Sequence, residues 1–329
     1  MRYYARKLGF YVIALWAALT LNFFIPRMMP GSPVDTLLAK LQQRGGSVTP
    51  EAREAFELML GTDSGAPLWN QYIDYLGNLF AGDLGVSVSQ FPANVTDVIG
   101  DSLPWTIVLV GIATFLSFAI GVLLGALVGW KRGSWMDTLV PATTLLAAVP
   151  YFWLALILVL LLSTNLGWFP LNGGYDVTLS TGWNWDFISS TVEHGFLPAL
   201  TIVLSSVGAW LLGMRNMMVS TVAEDYVLTA QAKGLRTSRI MRRYAARNAV
   251  LPSVAGFAIS LGFVVSGSIV TEQVFSYPGI GSRLLESVQN NDYALMQGIF
   301  LVITVAVLGA NLVVDLLYGL IDPRTRVEN

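Results

Sequence analysis

Chemistry inside a membrane-like stretch needs polar side chains that can meet, and this sequence offers few. It has one histidine, His194, and no cysteine. That excludes a histidine-based triad, a multi-histidine metal centre and any disulfide framework. No G-x-x-x-x-G-K-[ST] run occurs, so the chain cannot itself be a phosphate-loop ATPase. Among the polar residues within apolar stretches, the candidates are Arg215, Glu272, Asn311 and Asp315. An ionisable residue at such depth is a functional candidate by default. Asn311 and Asp315, one helical turn apart, fit the simpler job of a structural pair with an inner arginine such as Arg215. Glu272 and Asp315 are a thin basis for a proton relay, which makes a carrier working alone the weaker transport reading. An intramembrane enzyme would need a polar constellation that does not assemble, and His194 reads as an interface residue. No basic and aromatic cluster points to nucleic acid.

The strongest local pattern is a charged island, residues 220–252. Seven of the nineteen basic residues lie between Arg215 and Arg247. Thr221 to Lys233 reads as a short helix, with Thr221 as its cap, Glu224 three residues on, and Glu224 and Asp225 near its start. Lys233 suits the last turn and Gly234 supplies a left-handed stop. Val222, Tyr226, Thr229, Ala230 and Lys233 recur at helical spacing and form an apolar face too small to build a core alone. A second helix starts near Thr237 or Ser238, with Ile240, Met241, Tyr244 and Ala245 on one side and Arg239, Arg242, Arg243 and Arg247 on the other. Two readings stand at this point: a basic helix resting on anionic lipid, or a docking element for a soluble partner.

The elements that must hold this island are membrane spans. The chain is 54% hydrophobic and only 12% charged, with positive mean hydropathy, far from the composition of soluble domains. Six apolar stretches, near 8–29, 105–130, 137–163, 196–219, 253–275 and 297–321, are each long enough for a crossing. Of the basic residues, 14 fall in the loops on the amino-terminal side and 5 on the other. The positive-inside rule then puts both termini and the island in the cytoplasm. Asn22-Phe23-Phe24-Ile25-Pro26 lacks a small-residue cleavage pattern, so the first stretch is expected to be a retained helix.

These spans define the expected architecture. It is an all-α polytopic membrane protein with six transmembrane helices, a large outer segment between the first two and a cytoplasmic loop between the fourth and fifth. Residues 1–30 carry the first span, 31–104 the extracytoplasmic segment and 105–329 the core. In the outer segment Thr49-Pro50-Glu51 starts a short helix with Ala52, Phe56, Met59 and Leu60 inward. Trp69, Ile73, Leu76 and Phe80 mark a second helix ending near Gly82, and a third runs from Pro92 to Leu103, ahead of Pro104. These helices lie at the outer membrane surface or form a small cap over a pore. In the second span Ala113, Ser117, Gly121, Gly125 and Gly129 recur every four residues and make a smooth face for a neighbouring helix. Pro141 and Pro150 predict kinks in the third. Trp168, Trp183 and Trp185 read as interfacial anchors, with stacking on a carbohydrate or aromatic substrate as the alternative.

Taken together, Glu224-Asp225-Tyr226-Val227-Leu228-Thr229-Ala230-Gln231-Ala232-Lys233-Gly234-Leu235 and Arg247-Asn248-Ala249-Val250-Leu251-Pro252 resemble the EAA loop of ABC importer permeases. The likeness is to the branch that carries dipeptides, oligopeptides, nickel and some oligosaccharides. It extends along the chain through Pro30-Gly31-Ser32-Pro33, Gly82-Asp83-Leu84-Gly85, Leu166-Gly167-Trp168-Phe169-Pro170, Phe275-Ser276-Tyr277-Pro278-Gly279-Ile280-Gly281, Asn291-Asp292-Tyr293 and Asp322-Pro323-Arg324. Leu228-Thr229-Ala230 replaces the generic Glu-Ala-Ala, a form that the peptide branch shares. Gln231 stands where the branch often has arginine and Tyr244 where it often has histidine.

The resemblance implies a permease subunit of the bacterial or archaeal cytoplasmic membrane. Its expected partners are a second homologous permease, two cytoplasmic ABC ATPases, an extracytoplasmic substrate-binding protein and membrane lipid. No cofactor is expected on this chain, because ATP and Mg belong to the partner ATPases. It also implies that the first island helix is a coupling helix, with Glu224, Asp225, Tyr226, Thr229, Ala230, Lys233 and Gly234 facing the ATPase or holding the loop. Oligopeptides or dipeptides are the expected cargo, with an oligosaccharide as the alternative.

Overall fold

The computed structural model describes residues 2–43, 45, 49–60 and 66–321. Arg44, Arg324, Arg326 and the run Asp322-Pro323-Arg324 lie outside the described residues. The helices follow in the order α1 (Arg2–Arg27), α2 (Pro33–Gln43), α3 (Pro50–Met59), α4 (Leu68–Ala81), α5 (Val95–Trp130), α6 (Leu139–Ala148), α7 (Tyr151–Leu158), α8 (Trp185–Val222), α9 (Asp225–Ala232), α10 (Thr237–Ile240), α11 (Arg247–Ala249), α12 (Leu251–Val264), α13 (Ile269–Val274), α14 (Ile280–Gln289) and α15 (Tyr293–Ile321). Among the described residues there is no strand, only a bridge between Val86 and Asn94. The all-α class holds. Segments of α1, α5, α8 and α15 are long and apolar enough to cross a membrane, and two bent helix pairs bring the four to six if each pair is one crossing.

Three spans differ from their sequence reading, each for a local reason. The second is not preceded by a separate helix over Pro92–Leu103, because α5 starts at Val95 and runs through Pro104. Proline there removes one N–H from the helix ladder, but Val95, Val98 and Ile99 are buried in a core that keeps this stretch helical. The third is bent by 95° between Ala148 and Tyr151. Pro150 disfavours helical backbone at the residue before it, and Val149 is extended, with ψ 125°. The fifth stops at Val264 and resumes as the short α13, interrupted by Ser266-Gly267-Ser268 with Gly267 at φ +68°.

The chain forms two compact units, one made of Met1–Thr106, Val265–Ile269 and Pro278–Asn329, the other of Ile107–Val264 and Val270–Tyr277. In the first, α1 packs along α15, and Asn22 Nδ2 donates to the Gln297 carbonyl at 2.8 Å. Phe23 is fully buried against Tyr72 and Tyr75 of α4. Of the stripe that marks this helix in the sequence, Trp69, Ile73 and Phe80 are exposed at 66, 51 and 85%, and Leu76 is half-buried. Helix α4 therefore keeps its tyrosines on the protein and presents its most apolar edge outward, as an interfacial helix does. Helix α3 begins as expected, with Thr49 Oγ1 accepting from the Ala52 N–H at 3.2 Å. The backbone N–H of Glu51 and then the Thr49 hydroxyl hold the Glu51 carboxyl below its usual range. No α3 residue is buried, so Met59 does not point inward as its spacing suggests.

Sequence runs some 200 to 260 residues apart meet in this unit. Asp292, fully buried, accepts from the Ser87 hydroxyl at 2.6 Å, the Ser89 N–H at 2.8 Å and the Leu295 N–H at 3.0 Å. It thus caps α15 and pins the loop after Gly82-Asp83-Leu84-Gly85. Tyr293 donates its hydroxyl proton to the Gly31 carbonyl at 3.2 Å.

In the second unit the expected small-residue face of α5 meets α8. A side chain at Gly121, Gly125 or Gly129 would lie 2.8, 2.4 or 2.9 Å from the backbone oxygens of Val207, Leu211 and Arg215. On another side of α8, Gly208 admits the Thr143 carbonyl of α6 at 2.8 Å from where its Cβ would be. The loop before α8 is held by Ser190, whose hydroxyl accepts from the Asp176 N–H at 2.9 Å. His194 Nδ1 donates to the Ser190 carbonyl at 2.8 Å, a local structural bond. Trp168, Trp183 and Trp185 are exposed.

Candidate functional site

Helix α8 delivers the chain to the charged island, and its end corrects the expected cap. Thr221 belongs to the last turn of α8, so it does not open the next helix. Glu224 is the residue before α9, in extended conformation and without a side-chain cap bond. Because α9 begins three residues later than a Thr221 cap implies, its buried face is Val227 and Ala230, at 0 and 2% exposure. Tyr226, Thr229 and Lys233, placed on the apolar face by the sequence reading, are exposed.

The stop at Gly234 is as expected. The Leu235 N–H donates to the Ala230 carbonyl at 3.4 Å and the Gly234 N–H to the Gln231 carbonyl at 2.9 Å. With Gly234 at φ +70° this is a Schellman motif. Nothing lies within 4 Å of where a Gly234 side chain would start, so the glycine is needed for its backbone angle alone.

The returning segment runs through α10, a π-turn over Met241–Ala246, and α11. Its expected faces hold: Ile240 and Ala245 are buried, whereas Arg239, Arg242, Arg243 and Arg247 are exposed. Two clusters fasten the island. Val227, Ala230 and Ile240 pack with Trp130, Leu235 and Tyr244. Ala126, Met214, Met218, Ala245 and Ala249 pack with Trp130 and Val222. Trp130, the last residue of α5, touches both clusters, so the island rests on the pair of helices held together by Gly121, Gly125 and Gly129. Asn248 Nδ2 donates to the Tyr226 hydroxyl at 2.9 Å, tying the two island helices together. Arg236, Ser238, Arg239, Arg242 and Arg243 line an adjoining cleft of about 460 Å³.

The outward surface of α9 therefore comprises Glu224, Asp225, Tyr226, Leu228, Thr229 and Lys233, with Ala230 holding from beneath. Leu228, 49% exposed, was missed by the sequence reading because it falls off the expected apolar face. An exposed leucine between two acids and a lysine, on a helix fixed at both ends, has the composition of a contact surface. Nothing in this arrangement can make or break a bond.

The buried polar candidates lie elsewhere. Asp315 is engaged within the first unit: Lys7 Nζ lies 3.0 Å from Asp315 Oδ1, and the Tyr11 hydroxyl donates to Oδ2 at 2.8 Å. Matching depth in the sequence points to an inner arginine such as Arg215, but α1 packs along α15 and so carries Lys7 to the acid. Asn311 is half-buried. Arg215 has a buried Nε without a hydrogen-bond partner among the described residues. Glu272 is fully buried, and its backbone carbonyl accepts from the Tyr277 N–H at 2.8 Å. Burial, then the Glu272 charge, pushes the Tyr277 phenol above its ordinary range.

The Lys7 and Asp315 side chains are partly exposed, so their pair falls between a surface and a buried bridge and is worth about 1–3 kcal/mol. A double-mutant cycle on thermal unfolding in detergent, Lys7→Gln with Asp315→Asn, is expected to show coupling of that sign. The cycle of Arg215→Gln with Asp315→Asn is expected to show none.

Comparison with known proteins gives a consistent result. Residues 121–327 match the family described as "Binding-protein-dependent transport system inner membrane component". The chain is 35% identical to the di/tripeptide transport system permease protein of Pseudomonas aeruginosa over 99% of each chain. It is 32% identical to the oligopeptide transport system permease protein of Bacillus subtilis over 92% of each. With the dipeptide transport system permease protein of Escherichia coli K12 the identity is 31%, again over 99% of each.

Proposed function

Since the chain belongs to the family of binding-protein-dependent transport system inner membrane components, we propose that it is the permease subunit of an ABC importer through which di- or oligopeptides enter the cell. A multi-pass component of the cytoplasmic membrane, it is not itself catalytic. Peptide is favoured over oligosaccharide because the relatives compared above carry peptides.

The observation that supports coupling is α9: a short helix fixed by two buried side chains, stopped by Gly234 and presenting Glu224, Asp225, Tyr226, Leu228, Thr229 and Lys233 outward. In the proposed mechanism, two ATPases close on ATP and Mg and draw this helix and its counterpart on a second permease together. Because the island rests on Trp130 and on the glycine-packed α5 and α8, the motion passes into the membrane as a rigid-body displacement. Cargo arrives from an extracytoplasmic binding protein, and both termini face the cytoplasm.

The test is recovery of the tagged chain from its native host in mild detergent, followed by uptake in proteoliposomes. Copurification of a second permease and ATPases, with ATP-dependent uptake of the peptide carried by the binding protein, is the expected result. Uptake by the single chain without ATP would overturn the reading.

A further inference from the structure

Within the second unit, three helices border an open-sided hollow of about 230 Å³ lined by Val110, Thr114 and Ser117 of α5, Ser206 and Trp210 of α8, and Ser260, Phe263 and Val264 of α12. Its place along the chain is the middle of the predicted crossings, 105–130 and 196–219, where lipid tails are the default surroundings. A lipid-facing or packing hollow at that depth should be apolar, since a hydroxyl without a partner in hydrocarbon is costly.

This hollow is not apolar. Ser117 and Ser260 satisfy their protons on their own helices, donating to the Ala113 carbonyl at 2.8 Å and the Phe257 carbonyl at 2.7 Å. The Thr114 and Ser206 hydroxyls and the Trp210 indole N–H have no partner among the described residues. The wall behind them is rigid. Trp210 meets Phe118 edge-on at 5.3 Å between ring centres, and Phe118 stacks on Phe257 at 4.3 Å. The glycine contacts of α5 fix Trp210 and Leu211 in place below, Gly121 facing the Trp210 Cβ.

We infer that Thr114, Ser206 and Trp210 form a station on the translocation path that holds the main chain of a passing peptide, a step that rests on the import reading above. Free hydroxyls both donate and accept, and an indole N–H donates. Together they match the alternating carbonyl and amide groups that every peptide has. The aromatic wall contributes area without selecting one side chain, and its faces also suit an amino-terminal ammonium. Such a station would read a backbone and tolerate varied residues.

The chain has no native cysteine, so Thr114→Cys and Ser206→Cys introduce single reporter thiols with little change in size. Ile112→Cys, two residues from Thr114 on an exposed part of α5 (Ile112 is 53% exposed), supplies the lipid-facing reference. The full complex in proteoliposomes is treated with a charged, membrane-impermeant methanethiosulfonate, with and without ATP, and labelling of this chain is read by its mass shift. Because only a hydrated thiolate reacts, labelling at positions 114 and 206 should exceed the reference about tenfold in at least one nucleotide state. Transported peptide should slow it. Equal rates at all three positions, or labelling that peptide never slows, would overturn the inference. Thr114→Val and Ser206→Ala should lower peptide uptake severalfold, and unchanged uptake in both would count equally against it. Failure of the unmodified complex to take up peptide would instead defeat the import reading.

Discussion

Gly234→Val is expected to leave the permease inserted and assembled with its partners while uptake per ATP hydrolysed falls about tenfold or more. The reason lies in the backbone. Gly234 sits at φ +70°, where a β-branched residue is a genuine outlier, and forcing one there costs about 1–3 kcal/mol. No atom obstructs the new side chain, so the strain is relieved by reopening the Schellman turn and letting α9 swing relative to α10. Since 1.4 kcal/mol is a factor of ten in any equilibrium, a turn relaxed by this amount no longer holds α9 at one angle. Gly234→Asn, which tolerates the left-handed region, should retain most of the uptake. The measurement is the ratio of peptide transported to phosphate released in proteoliposomes. Normal coupling in Gly234→Val would remove α9 from the coupling mechanism.

Gly125→Val should act on the fold instead. Its Cβ would stand 2.4 Å from the Leu211 carbonyl oxygen and 2.9 Å from the Met214 Cβ. The backbone cannot yield there without parting α5 from α8, and overpacking of this kind costs about 1–3 kcal/mol, sometimes more. Helices that associate in lipid do so largely through such close approach, so the separated pair has little to fall back on. Much reduced folded yield and a lower melting temperature in detergent are expected. Gly213→Ala is the control on the same helix α8, since nothing lies within 4 Å of that position, and it should be neutral. A stable Gly125→Val would mean that the contact between these helices does not carry the second unit.

What could be read in the sequence was whatever depends on neighbours in the chain. The glycine face of α5, the two faces of the arginine-rich segment, the Thr49 cap and the Gly234 stop are all set by spacing and backbone angle. What could not be read depends on distant partners. Asp315 was assigned to Arg215 because depth is visible in a sequence and helix adjacency is not. Asp292 drew no notice as a site, for a buried cap holding a loop 200 residues away leaves no local pattern. The start of α9 was misplaced for a different reason. Thr221 and Glu224 satisfy the capping rule, yet the packing of Met218 and Val222 carries α8 one turn further than the rule allows. The exposed Leu228 followed from that shift.

The clip between Lys7 and Asp315 also bears on how the protein is made. Its two halves are separated by some 300 residues of chain, which at 5–20 residues per second corresponds to about 15–60 s of synthesis. For that interval α1 stands in the membrane with Lys7, Tyr11 and Asn22 waiting for a helix the ribosome has not yet produced. Insertion factors thus meet a half-built first unit as a regular intermediate, and the arrival of α15 is the event that completes it.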